Sequence, residues 1–209
     1  MSFNFADVST TGWIAVGALA ALAVVLLVIA RGHVRWTARM IANAALCLAL
    51  AFVLSYIKLF DLPQGGAVTA ASLLPIIAFA YSYGLAPGLV VGVAYGLLQM
   101  IQDPWIVSPV QAILDYPLAF ACIALAAVAR KLPDSWGWLA GIALGGVGRF
   151  VCHVLSGVVF FAEYAEGTGM SPMVYSVSYN SFVFVDLAIC AVVMAFPQVR
   201  RALKKMTER

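Results

Sequence analysis

Residues 108–131 read Ser-Pro-Val-Gln-Ala-Ile-Leu-Asp-Tyr-Pro-Leu-Ala-Phe-Ala-Cys-Ile-Ala-Leu-Ala-Ala-Val-Ala-Arg-Lys. As a helix, the apolar part Ser108 to Ala129 is about 33 Å long at 1.5 Å per residue. That length crosses a hydrocarbon core of about 30 Å. Arg130 and Lys131 follow the run, and Asp115 is its one acid. A surface helix of a soluble protein would carry a polar face, and this stretch has none.

The rest of the chain agrees. Of its 209 residues, 64% are hydrophobic and 10% charged, against about 25% charged in an average soluble domain. With a mean hydropathy of +1.01, this composition excludes a soluble, disordered or nucleic-acid-binding chain. Cys47, Cys122, Cys152 and Cys190 all lie in apolar runs without metal-ligand spacing, and read as small buried hydrophobes.

Seven apolar runs emerge: Gly12 to Ala30, Thr37 to Phe60, Val68 to Tyr83, Ala86 to Ile101, Ser108 to Ala129, Trp138 to Phe161 and Pro172 to Phe196. The third and fourth are short, and Pro75 interrupts the third, so a tilt, kink or re-entrant turn is expected there. The fold class is an all-α integral membrane protein in one domain. The first run follows a flank with Asp7 and no cation, the reverse of a secretory signal, and reads as a retained span.

Cations fix the expected orientation. Arg31, Arg35 and Arg39 follow run one, Arg130 and Lys131 follow run five, and Arg200, Arg201, Lys204, Lys205 and Arg209 form the tail. These connections fall on one side for seven spans with N-out, C-in topology. Asp7, Asp61, Asp103, Glu163 and Glu166 fall on the other, with Lys58 near their edge. The external loops 61–71 and 162–171 contain glycine and are candidate lids.

Gly84, Gly88, Gly92 and Gly96 recur at four-residue spacing, as do Gly141 and Gly145. Such stripes let helices approach closely. Ala38, Ala42, Ala45 and Ala49 give the alanine version, which packs internally or offers a smooth surface to a partner subunit.

Charges within spans are costly and mark function by default. Counted from the outer ends, Asp115, His153 and Asn180 share a depth of about 10–12 Å, with Tyr116, Tyr175 and Tyr179 beside them. This layer reads as an outward-facing binding site for a small cationic or aminated aromatic ligand. Gln64, Tyr95, Gln99, Trp105, Gln111 and Tyr164 are rim candidates. No third ligand for a metal accompanies Asp115 and His153 at that depth. Arg149 and Asp186 lie deeper, at roughly 18–21 Å, and are expected to form a structural ion pair. The residues alone leave four functions to weigh. These are a binding subunit, a stand-alone or proton-coupled carrier using Asp115 or the Arg149/Asp186 pair, a membrane hydrolase using Ser156 with His153, and a purely structural membrane subunit, which the polar layer disfavours.

Five motifs occur in order: Tyr56-Ile-Lys-Leu-Phe60; Pro63-Gln-Gly-Gly66 with Ser72-Leu-Leu-Pro75; Ser108-Pro-Val-Gln111 with Leu114-Asp-Tyr-Pro117; Arg149-Phe-Val-Cys-His153 with Ser156-Gly157; and Tyr175-Ser-Val-Ser-Tyr-Asn180. Together, over about residues 37–196, they resemble the thiamine-specific S-component family (ThiT, or YuaJ) of energy-coupling-factor (ECF) transporters. The resemblance implies a six-helix plasma-membrane subunit that captures thiamine, or a close pyrimidine or thiazole analogue, from outside with high affinity and no cofactor. It would dock on a separate transmembrane component driven by two ABC ATPases. The chain has no Gly-x-x-x-x-Gly-Lys-Ser/Thr sequence of its own. Carried over, the family's pocket carboxylate and tyrosine fall on Asp115 and Tyr116, its histidine on His153, and its last-helix tyrosine and asparagine on Tyr175 and Asn180. Its partner-contact alanines fall near Ala45 and Ala49. The expected organisation is an extra N-terminal helix and basic loop over 1–36, the six-helix domain over 37–196 and a basic tail over 197–209.

Overall fold

The computed structural model describes residues 17, 34–133 and 135–207. Of the first expected span, only Gly17 falls among them.

Among the described residues, six helices form the bundle. They are α1 (Ala38–Ser55), α2 (Leu74–Tyr83), α3 (Leu85–Gln102), α4 (Pro109–Lys131), α5 (Gly137–Phe160) and α6 (Pro172–Ala195). All but α2 are long and apolar enough to cross a membrane. A hairpin of β1 (Lys58–Asp61) and β2 (Ala67–Thr69) joins α1 to α2, and α7 (Pro197–Thr207) follows α6. The third apolar run is therefore divided: Val68 and Thr69 are in β2, and Pro75 sits in the first turn of α2, where its missing N–H costs nothing.

Local chemistry sets the helix starts. The side chains of Thr37, Ser108 and Ser171 accept from the backbone N–H of Met40, Gln111 and Val174, respectively. Pro109 and Pro172 follow the two serines in the first turn. Between α2 and α3 the chain reverses at Gly84, whose φ of 104° suits a residue without a side chain.

The glycine stripes bring α3, α4 and α5 into backbone contact. A Cβ at Gly96 would lie 2.5 Å from the Tyr116 carbonyl oxygen, and one at Gly92 2.4 Å from that of Phe120. On α5, a Cβ at Gly145 would meet the Ile123 carbonyl oxygen at 2.9 Å. α4 is thus clamped from both sides along its length.

Its winding is irregular there. It runs as α-helix over Pro109–Ile113, widens to a π-turn over Leu114–Leu118, recovers over Ala119–Ala121 and tightens to 3-10 geometry over Cys122–Lys131. Pro117 inside the wide turn has no N–H to continue the α ladder. π-turns commonly occur at functional sites, and this one carries Asp115 and Tyr116.

The hairpin pairs Lys58 with Thr69, Phe60 with Val68 and Asp61 with Ala67. Its tip, Pro63–Gly65, holds Gln64 at φ 65° and Gly65 at φ 82°, and the Leu62 N–H closes the turn on the Gly66 carbonyl. α7 packs Val199, Leu203 and Met206 on the bundle core, with the Arg200 guanidinium 4.5 Å from the Trp138 ring centroid. The outer face of α1, including Ile41, Leu46, Leu50 and Val53, is exposed and apolar, as lipid contact requires. Ala45 and Ala49 are on that exposed side.

Candidate functional site

α3, α4, α5, α6 and the hairpin enclose one cavity in which about 140 Å³ is open to the centres of water molecules. One water needs about 10–15 Å³ by this measure. The wall includes all five residues expected to bind substrate, Asp115, Tyr116, His153, Tyr175 and Asn180. It also includes Arg149 and Asp186, together with the rim candidates Gln64, Gln99, Trp105 and Gln111. Tyr95 and Tyr164 are not on the wall. Tyr95 is fully buried beneath it, its hydroxyl donating to the Ala51 carbonyl at 3.3 Å and its ring edge-on to Phe120. Tyr164 packs beside Phe161.

Asp115 is the best-supported polar group. Oδ2 accepts from Gln111 Nε2 at 2.6 Å and from the Ser156 hydroxyl at 2.7 Å, while Oδ1 lies 3.0 Å from His153 Nδ1. Gln111 is buried, and its orientation is decided by its neighbours. Its Oε1 accepts from the Val107 N–H, and its Nε2 donates to the Trp105 carbonyl as well as to Asp115. An ionised carboxylate has about four acceptor positions. Three are filled here, which leaves one on Oδ1 for an incoming N–H or cation.

Arg149 Nε donates to His153 Nε2 at 3.1 Å, so the imidazole donates from Nδ1 to Asp115. The same guanidinium reaches Asp186 Oδ2 at 3.5 Å, and Asp186 Oδ1 accepts from the Thr69 N–H and hydroxyl. The expected pair is present, but the two depths are joined. Arg149 and His153 are four residues apart on one helix face, and the long arginine side chain bridges the difference.

Asn180 Nδ2 donates to the Ser176 carbonyl at 2.9 Å and lies 3.3 Å from that of His153, which ties α6 to α5. Gly157 permits this approach, because a Cβ there would lie 2.1 Å from Ser176 Oγ. Tyr175 and Tyr179 stack with centroids 6.4 Å apart and grip the hairpin tip. The Tyr175 hydroxyl accepts from Gln64 Nε2. That of Tyr179 accepts from the Gly66 N–H and donates to the Pro63 carbonyl. The Tyr116 hydroxyl accepts from the Trp105 N–H at 2.7 Å and secures the α3–α4 loop.

At the mouth, Lys58 bridges Asp103 at 2.6 Å and Asp61 at 3.0 Å. Asp103, and then Asp61, raise the Lys58 ammonium above its ordinary lysine pKa. Counted by formal charge, the wall sets Lys58 and Arg149 against Asp103, Asp115 and Asp186. With His153 neutral the net charge is −1, which suits a cationic guest. Phe120, Phe161, Phe182 and Trp105 add apolar faces.

Sequence reasoning passed over Ser156 and Ser176 as parts of this site. The nucleophile role open to Ser156 in the sequence finds no support in the geometry, since its hydroxyl donates to Asp115 and His153 bonds Asp115 and Arg149. The phenylalanines gave no signal among many others. Among the described residues, no group of three or more His, Cys, Asp or Glu side chains is placed to hold a metal.

The comparisons with known proteins agree with this architecture. The family described as Thiamine transporter protein (Thia_YuaJ) matches residues 41–206. Thiamine transporter ThiT of Bacillus subtilis is 30% identical over 180 residues, covering 77% of this chain and 93% of the relative. ThiT of Lacticaseibacillus paracasei is 30% identical over 159 residues, covering 67% and 76%. The solved structure of ThiT from Listeria monocytogenes superposes with a TM-score of 0.69 at 24% identity over 80% of this chain and 96% of that one. The S component of a bacterial ECF transporter does so at 0.55, with 21% identity over 81% and 98%. At these identities the two structures speak for the fold. The sequence match over most of the chain decides the rest: this multi-pass plasma-membrane protein belongs to the thiamine transporter family Thia_YuaJ.

Proposed function

We propose that the chain captures thiamine in the cavity around Asp115 and serves as the substrate-specific subunit of an ECF-type transporter. It acts in transport and not as an enzyme. The observation that carries the binding site is the setting of Asp115: a carboxylate with three polar partners already in place and one acceptor position open, in a wall whose formal charge is −1. Thiamine supplies what this wall lacks, a fixed thiazolium cation and an exocyclic amine on a flat aminopyrimidine. Asp115 takes the charge or the N–H, His153 and Asn180 shape the floor, and the stacked Tyr175 and Tyr179 hold the hairpin above.

The energising partners in this reading are a separate ECF transmembrane component and two ABC ATPases, met through Ala45 and Ala49 on the outer face of α1. Titrating the purified protein with thiamine, and with its pyrimidine and thiazole halves, tests the binding step through tryptophan fluorescence. Saturable binding of thiamine, tighter than of either half, is expected, and absence of thiamine binding refutes the reading. Uptake that persists in cells lacking the ATPases would instead make the chain a stand-alone carrier.

A further inference from the structure

We infer that Arg149 is a positioning residue of the binding site: by donating Nε–H to His153 Nε2 it holds the imidazole neutral with its proton on Nδ1, aimed at Asp115. This deepens the proposed function and rests on it for the consequence to ligand binding, although the tautomer itself is a property of the ligand-free protein.

The guanidinium is held on every side. It is buried, its centre lies 4.8 Å from the Phe120 ring centroid and 6.0 Å from that of Phe182, Nη1 faces Asp186 Oδ2, and Nε faces His153 Nε2 at 3.1 Å. Asp186 is fixed in turn by the N–H and hydroxyl of Thr69 in β2. Since arginine has only donors, the imidazole nitrogen it faces must be the acceptor. A proton added to Nε2 would set two N–H groups against each other and a second cation beside the first.

The titratable and charged groups that share the cavity wall with the imidazole are Asp115 and Tyr116 on α4, Arg149 on α5, and Tyr175, Tyr179 and Asp186 on α6, with Lys58 and Asp103 at the mouth. Asp115 and Arg149 bond the ring directly. They act in opposite senses: the carboxylate favours an imidazolium and the guanidinium opposes it. Without Arg149, acid would convert the contact into a neutralised His153⁺–Asp115⁻ pair, and Asp115 would lose its attraction for a cationic guest. Arg149 therefore reserves the Asp115 charge for the ligand.

Full-length protein in lipid nanodiscs, labelled with 15N-histidine, reads the tautomer directly. The chain has only two histidines, His33 and His153, and the His33→Gln background leaves one set of ring signals. The expected spectrum shows a protonated Nδ1 and an unprotonated Nε2, unchanged from pH 8 to pH 5.5. A proton on Nε2, or an imidazolium appearing across that range, overturns the proposal, and this wild-type result stands even if variants fail to fold. In the same background Arg149→Met, whose unbranched chain still packs between the phenylalanines, should gain the imidazolium at pH 5.5. Its thiamine affinity should fall tenfold or more between pH 8 and pH 5.5 while that of Arg149 protein stays level. A loss equal at all pH values would mark a merely structural arginine. Failure of Arg149 protein to bind thiamine at all would sink the proposed function and leave the spectrum to judge the tautomer.

Discussion

Replacing Asp115 by asparagine removes one negative charge and little volume, and the structure decides how the amide must sit. Oδ1 faces the His153 Nδ1–H, whose tautomer is held by Arg149 from the other side, so the amide oxygen has to take that position. The NH2 then replaces Oδ2, where Gln111 Nε2 and the Ser156 hydroxyl both donate. Ser156 can turn its hydroxyl to accept. Gln111 cannot reverse without losing its bonds to Val107 N–H and the Trp105 carbonyl. The substitution therefore costs some stability as well as charge, and the assay has to separate the two. The loss of a charge-assisted contact is about 1.5–3 kcal/mol, or roughly ten- to 150-fold in Kd. Calorimetric titration of folded Asp115→Asn protein with thiamine should show a loss in this range, while the neutral pyrimidine half should lose far less. An unchanged thiamine affinity, or equal losses for cationic and neutral ligands, would refute Asp115 as the site of the charge.

Gly96→Leu should destabilise by about 1–3 kcal/mol through overpacking, because its Cβ would lie 2.5 Å from the Tyr116 backbone oxygen; detergent melting curves check this, and thiamine binding should weaken as the π-turn shifts. Lys58→Ala should speed thiamine release a few-fold in stopped-flow fluorescence by opening the bridge to Asp103. Because Asp103 and Asp61 raise the folded-state pKa of Lys58 above 10.5, the ammonium's part in that bridge is intact at neutral pH and is lost only as pH rises through the raised value. Its contribution is modest and should shrink with salt, since both side chains are partly exposed. Ala49→Trp should leave thiamine binding intact but abolish ATP-driven uptake in cells that carry the partner subunits; full uptake would move the partner surface away from α1.

Much of the fold follows from patterns that one helix can carry alone. A bilayer-length apolar run and a closing pair of cations are enough to delimit α4, and the shared depth of Asp115, His153 and Asn180 follows from counting residues. Azimuth and tertiary reach do not. Depth places Tyr95 one turn below Gln99 on the same face, yet the edge of Phe120 and the α1 backbone cover it. Depth also separates Arg149 from His153, although their spacing of four allows one side chain to reach the other. The β1–β2 hairpin is illegible to a search for helical spans, because its four- and three-residue strands are shorter than any transmembrane signal. The π-turn has a visible cause in Pro117, but a proline in a membrane helix is compatible with a kink, a wide turn or a water-filled gap, and only the clamp by Gly92 and Gly96 selects among them.

A structure of the protein with thiamine bound would locate the ligand outright. Thiamine is expected in the cavity beneath the hairpin tip, its amine or thiazolium facing Asp115 Oδ1, any N–H contact at about 3 Å, and aromatic faces of the wall against its rings. Ordered thiamine elsewhere on the chain, with the space beside Asp115 filled only by solvent, would contradict that placement.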